Sequence, residues 1–221
     1  MAFGEANYDR VIHLDSDVIL LQSMDELFFL PPTTVAMPRA YWLLPDKSLS
    51  SLLVVIEPSF REYKRITGDA VPAQNGQIEV NITDHRYDMD LLNARYGDSA
   101  MVLPHRQYGL LSGEFRRKDH RRFLGNDDEV WDPDHVLAQA KFVHFSDWPL
   151  PKPWIMWPQE MLALEQPRCD HDPGTPRESG CRDREIWKML YDKYRRQRKV
   201  CFLSITLNWD FANFCRMSVS C

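Results

Sequence analysis

Two short apolar runs separated by Asp15-Ser16-Asp17 constrain this chain more than any other stretch. Val11-Ile12-His13-Leu14 is short, β-branched and nearly continuous, which predicts a buried strand of a parallel sheet with His13 in the core. Val18 to Leu21 continues the apolar character beyond the acidic pair. A strand ending in Asp-x-Asp sets two hard oxygen donors at the carboxyl edge of a sheet, where open α/β sheets bind their ligands. Two carboxylates there suit a divalent cation, and such a cation can hold a diphosphate. The triplet itself is not specific, because the chain has four: Asp15/Asp17, Asp88/Asp90, Asp132/Asp134 and Asp170/Asp172. The last two sit among prolines and polar residues and read as turns. Only the first is flanked by apolar runs on both sides, and the competing reading of it is a strand-end turn with solvated carboxylates.

Downstream, short strands alternate with short helices, which predicts an α/β fold. Ser23 to Phe29 reads as one helical turn with Ser23 as N-cap and Glu26 at the capping-box position, stopped by Pro31-Pro32. Strands follow at Val35–Met37, Ser51–Ile56, Ala100–Leu103 and Lys141–Phe145. Helices are predicted over Pro58–Ile66, Asp88–Tyr96 and Arg182–Arg198. Phe60, Tyr63 and Ile66 recur at helical spacing as a core stripe, and Ile186, Met189, Leu190 and Tyr194 form the apolar face of the last helix. Residues 68–81 form a polar loop with one strand turn, 105–135 and 158–180 read as loop-rich, and no pattern marks the tail after Val200.

Composition excludes several function classes. A formal net charge of −5 gives no general attraction to nucleic acid, and the basic helix 182–198 reads as a solvated amphipathic helix. No run approaches the roughly 18 apolar residues of a membrane span, and the first residues lack the pattern of a signal peptide, so the chain read literally is cytosolic. Five cysteines without a Cys-x-x-Cys pair argue against a zinc knuckle. Cys169 and Cys181 bracket an Asp/Pro/Gly-rich loop, as a disulfide in an oxidising compartment or as two free thiols. Three more residues read blandly by themselves: His144 as a core histidine, Lys152 as a solvated loop lysine, and Asp88 as a helix-start carboxylate favoured by the dipole. Trp148 and Trp154 suit either a sugar-stacking surface or the core.

Three motifs in order then resemble glycosyltransferase family eight, the family of glycogenin and galactinol synthase. They are Tyr8-Asp9-Arg10-Val11-Ile12-His13-Leu14-Asp15-Ser16-Asp17, Asp88-Met89-Asp90-Leu91-Leu92-Asn93, and His144-Phe145-Ser146-Asp147-Trp148-Pro149-Leu150-Pro151-Lys152-Pro153-Trp154. Pro104 to Arg116 and Cys169 to Arg184 resemble its fungal Golgi N-acetylglucosaminyltransferases. The resemblance implies a GT-A type, Rossmann-like nucleotide-diphospho-sugar transferase fold, a UDP-sugar donor, a glycan acceptor, Mn2+ and retention of anomeric configuration. It implies that Asp15, Asp17 and His144 bind the metal and that Lys152 approaches the donor phosphate. It places Ser16 and Ser51 at the donor, and Asp88 near the transferred sugar as the catalytic candidate. N-acetylglucosamine is the favoured donor sugar and the Golgi lumen the implied compartment. The alternative is an inactive remnant that keeps the scaffold and weak metal or sugar binding.

The chain departs from the family in five places. Ser50-Ser51-Leu52 stands where many relatives carry Asn-Ser-Gly, and Met89 where they carry Gln. The segment from His144 to Lys152 is two residues longer than in glycogenin-like members and lacks a phosphate-contacting glycine. The expected organisation is a partial glycosyltransferase domain over 1–199, followed by a divergent tail over 200–221. Asp15 comes almost at once, whereas a nucleotide-binding α/β half takes on the order of 70–100 residues. The expectation is therefore a fold incomplete at its N-terminus, with any membrane anchor missing too.

Overall fold

The computed structural model describes residues 2–4, 7–66, 87–171, 178–179 and 181–207. The strands are β1 (Val11–Leu14), β2 (Val18–Leu20), β3 (Val35–Pro38), β4 (Leu53–Ile56), β5 (Met101–Leu103), β6 (Leu110–Leu111), β7 (Phe142–His144), β8 (Asp170–His171) and β9 (Glu178–Ser179). The helices are α1 (Phe60–Ile66), α2 (Asp88–Tyr96), α3 (His105–Tyr108), α4 (Arg121–Leu124), α5 (Pro133–Gln139), α6 (Gln159–Glu165) and α7 (Arg182–Leu207). The chain divides into two compact units, Met1–Leu14 with Ser23–His105, and Asp15–Gln22 with Arg106–Cys221.

The first unit holds a four-stranded sheet in the order β1-β4-β3-β5. β4 is buried along its whole length, pairing antiparallel with β1 (Val11 opposite Ile56) and with β3 (Val35 opposite Ile56). Only β3 and β5 run parallel here. The predicted parallel sheet is thus corrected. The link from β3 to β4 carries no α-helix, so the chain turns back on itself, whereas α1 and α2 lie between β4 and β5. β1 is also not buried: it lies at the sheet edge, Val11, Ile12 and Leu14 are half-buried and His13 is exposed rather than in the core. Val35, Met37, Leu49, Val54, Ile56 and Tyr96 form the core with Phe3, and Tyr63 and Ile66 pack on it from α1. Phe60 does not join them; it is exposed, with the Lys64 ammonium 4.5 Å from its ring centre.

Arg10 fastens the segment after Ser23. Its guanidinium donates to the carbonyls of Phe28 (3.0 Å) and Leu30 (2.7 Å) and pairs with Glu57 at 2.5 Å. The predicted helical turn is a 3-10 turn over Asp25–Phe29 entered at Met24, with Ser23 Oγ accepting the Asp25 amide (3.2 Å) instead of capping an α-helix.

The second unit holds a three-stranded sheet, β2-β7-β6, with β7 central and buried. α7 packs a face of Ile186, Trp187, Leu190 and Tyr191 against the 3-10 turn Ser112–Arg116, whereas Met189 is exposed. The buried face is thus rotated toward Trp187 and Tyr191 and away from the predicted Met189. Four helices, α3 to α6, begin where loop-rich segments were predicted. α5 starts on the Asp132 cap, which accepts the Asp134 and His135 amides, with Pro133 at its first position. α6 follows Pro158. α7 runs through the expected boundary at 199 to Leu207. The predicted polar loop 68–81 and the tail from 208 lie outside the described residues.

Cys169 and Cys181 form a disulfide across a separation of 12 residues, and β8 and β9 pair inside its loop. A cross-link of that span constrains the unfolded chain by about 3 kcal/mol. Cys169→Ser with Cys181→Ser is therefore expected to lower the urea-unfolding free energy by about 2–4 kcal/mol. Adding reductant to the unmodified protein should give the same loss.

Candidate functional site

The β2–β7 ladder builds the site. Val18 lies opposite His144 and Leu20 opposite Phe142. One residue beyond the ladder, the Phe145 amide donates to the Asp17 carbonyl at 2.8 Å. This pairing brings Asp17 beside His144 although 127 residues separate them in the chain. His144 Nε2 is 3.2 Å from Asp17 Oδ1 and 3.3 Å from Asp15 Oδ2. One ligand atom from each of Asp15, Asp17 and His144 lies within 4.8 Å of the others. Lys152 pairs through Nζ with Asp17 Oδ2 and donates to the Phe145 carbonyl at 3.2 Å.

The protonation states follow from this geometry. Burial alone pushes the Asp17 carboxyl up, but hydrogen bonds from His144 and Lys152 and their charges overcome that and hold it well below the usual carboxylate range. Burial alone pulls the His144 imidazole down, yet the bonds to Asp15 and Asp17 and their charge raise it above its ordinary value. Two carboxylates are thus balanced by two groups that favour a positive charge. The His144 Nδ1 atom is buried and has no hydrogen-bond partner among the described residues, so Nε2 is the nitrogen aimed at the carboxylates. Two carboxylate oxygens and an imidazole nitrogen suit a divalent cation, and the balancing cations show how much negative charge the site concentrates.

The loop from Ser146 to Trp154 is held from beneath by residues that the sequence did not single out. The Asp147 carboxylate, 2% exposed, accepts Arg116 Nη1 (2.7 Å) on one oxygen and Trp187 Nε1 (2.5 Å) and the Tyr191 hydroxyl (3.2 Å) on the other. Burial and then the Asp147 charge raise the Tyr191 phenol, so it stays a donor. Arg116 also donates to the Trp148 and Glu165 carbonyls (3.1 and 2.6 Å) and pairs with the Glu165 carboxylate. Gly113 closes the arrangement: a Cβ there would meet the Ser146 carbonyl at 2.8 Å and Asp147 Oδ1 at 3.3 Å. The signal available in the sequence was the position of Arg116 and Asp147 inside the resembling motifs. Nothing in those motifs says that Asp147 faces inward.

Ser16 is exposed between the two acidic residues, and its carbonyl lies 3.5 Å from the Tyr194 hydroxyl. Ser51 and Asp88 belong to the first unit. Ser51 is buried just before β4. Asp88 is exposed at the first turn of α2, where its carboxylate accepts the Met89 amide at 2.8 Å. Asn93 of the same motif does more than either. Its amide accepts from the Leu49 amide (2.7 Å) and donates to the Leu49 carbonyl (2.7 Å) and the Met89 carbonyl (2.8 Å), fixing the backbone that leads into Ser50-Ser51.

No protein-family model matches the sequence. The chain is 68% identical over 213 residues to a protein of Aspergillus fumigatus named glucose N-acetyltransferase 1, covering 96% of this chain and 56% of that protein. It is 47% identical over 206 residues to a protein of the same name in Gibberella zeae, covering 91% of this chain and 42% of that one. The chain therefore spans about half the length of these relatives. Among solved structures it resembles the glycosyltransferase GlyE of Streptococcus pneumoniae, with a TM-score of 0.46 at 17% identity over 83% of this chain and 40% of that one. It also resembles the bifunctional glycosyltransferase WbbM, with a TM-score of 0.46 at 16% identity over 67% of this chain and 30% of that one.

A pH dependence follows for the metal-free chain. Because the folded His144 value is raised, its contribution is complete below the ordinary imidazole range and is lost as pH rises through the raised value. Asp17 works in the opposite direction, contributing above the ordinary carboxylate value and losing it as pH falls. Urea-unfolding free energy measured from about pH 6 to 9 should fall with a slope of at most about 1.4 kcal/mol per pH unit. The variant His144→Gln should flatten that slope.

Proposed function

We propose that this chain is part of a fungal glycosyltransferase of the group represented by the proteins named glucose N-acetyltransferase 1, and that it carries the metal-binding half of the site. The observation that carries this reading is the convergence of Asp15, Asp17 and His144, with Lys152 on Asp17. The 68% identity with the Aspergillus fumigatus protein supports the group. On this reading the fold is of the GT-A type, family eight, and the donor a UDP-sugar. The transferred sugar is N-acetylglucosamine, the acceptor a glycan, and the configuration is retained.

Asp15, Asp17 and His144 would hold the cation, with Mn2+ the ion that best suits two oxygens and one nitrogen. Such an ion, when bound, neutralises charge that grows on a diphosphate leaving group. The chain's own residues supply the rest. The Lys152 ammonium exchanges its Asp17 partner for a phosphate oxygen and donates to it as that oxygen becomes more negative. The prolines on both sides of Lys152 restrict the backbone that presents it. Asp88 is proposed near the transferred sugar, and Ser16 and Ser51 as donor contacts. The cystine Cys169–Cys181 fits an oxidising compartment, which supports the lumen of the secretory pathway and, within it, the Golgi. No helix among the described residues is long and apolar enough to cross a membrane.

Calorimetry with UDP should show binding that requires Mn2+. Asp17→Asn is expected to weaken it roughly 100-fold, about 2.7 kcal/mol. Binding that survives in an Asp15→Asn, Asp17→Asn double variant would overturn the metal assignment. Metal-independent binding of acetyl coenzyme A with no binding of UDP would instead favour acetyl transfer, the literal sense of the relatives' name.

A further inference from the structure

Trp148 is 90% exposed, and no other tryptophan among the described residues exceeds 37%. Its ring has no aromatic or hydrogen-bonding partner among the described residues, whereas Trp131 stacks on His120, Trp154 leans on Tyr194 and Trp187 packs on Tyr191. What sets this ring apart from the other exposed apolar side chains is that its loop is fixed. The backbone on either side of the indole is fixed by Arg116 to the Trp148 carbonyl (3.1 Å) and by the Leu150 amide to the Asp147 carbonyl (2.8 Å). Below, the Asp147 carboxylate is anchored on Trp187 and Tyr191, and Pro149 and Pro151 limit the backbone that follows. The ring is therefore presented on a pre-formed mount, the arrangement that lowers the ordering cost of binding.

The mount also fixes where the ring is presented. Both ends of its loop return to Asp17, through the Phe145 amide and through Lys152. Trp148 is four residues from His144 and four from Lys152, so its α-carbon lies at most about 14 Å from either of theirs. A ring carried on a loop whose two ends close on Asp17 lies within reach of a saccharide that reacts beside the metal ligands. A pyranose offers a face of C–H groups and an edge of hydroxyls. An indole offers an apolar face and an N–H donor, so the two match in both characters.

We propose that Trp148 is the platform on which a pyranose of the acceptor stacks, held in place by Arg116 and Asp147. The inference rests on the sugar-transfer reading above and adds to it a residue for the second substrate. The donor is engaged through its phosphates at Asp15, Asp17, His144 and Lys152; the acceptor ring is engaged four residues away.

The test uses the full chain and two probes, methyl β-D-glucopyranoside and methyl β-D-galactopyranoside. Saturation-transfer NMR, with and without UDP and diamagnetic Mg2+, should show transfer to the ring C–H protons of at least one glycoside. Trp148→Ala should reduce that transfer roughly five-fold or more, and Trp148→Phe should retain most of it. Metal-dependent UDP binding should be the same in all three proteins. Absence of transfer to either glycoside in the unsubstituted chain overturns the proposal, as does unchanged transfer in Trp148→Ala. Loss of UDP binding in Trp148→Ala also overturns it, because the ring would then serve the donor. Co-sedimentation with anionic phospholipid vesicles that depends on Trp148, with sugar transfer unchanged, overturns it in favour of a membrane contact. Failure of the sugar-transfer reading shows separately, as absence of metal-dependent UDP binding in the unsubstituted chain.

Discussion

The site in the second unit depends on a ladder of three residue pairs between Val18–Leu20 and Phe142–His144. A ladder this short gains little from its own hydrogen bonds, each worth about 1 kcal/mol net. Its persistence comes from burial: Val18, Ile19, Phe142 and Val143 are all enclosed. The ladder's register then acts on chemistry. A shift by one residue would turn His144 to the opposite face of the sheet and strip the two carboxylates of their imidazole. The apolar side chains of four residues thereby fix the positions of three polar ones.

The reading of Asp15, Asp17, His144 and Lys152 as one group came from ordered motifs, and in the structure these four side chains lie together. His144 and Lys152 lie on one loop that closes on Asp17 at both ends. What the sequence left hidden is of two kinds. Strand direction in the first unit depends on how β3 is connected to β4, and no local pattern in Val11–Leu14 reports it. Its three half-buried residues and exposed His13 belong to an edge, but a run of three aliphatics around one histidine looks the same as a buried strand. The second kind is the inward-facing polar residue. Asp147 sits between Ser146 and Trp148, where any loop carries an aspartate, and its three donors come from Arg116, Trp187 and Tyr191, far away in the chain. Only a fold can bring those donors to it.

Asp147 and Asn93 share a principle. Each is a polar side chain at the base of a segment that matters, and each is satisfied by several partners at once. A buried polar group with every partner present fixes one backbone geometry, because any other geometry leaves a donor or acceptor unpaired at about 1–3 kcal/mol. The exposed Trp148 in one unit and the buried approach to Ser51 in the other inherit a definite position from them.

The chain enters the second unit twice, first for the eight residues Asp15–Gln22 and then from Arg106 onward. That short first visit supplies an outer strand and both acidic groups. A gene segment encoding only the later part would make a sheet lacking that strand and a histidine without its carboxylates. The two units therefore do not behave as exchangeable modules. Recombination that moves only the later part separates the His144 imidazole from both its carboxylates.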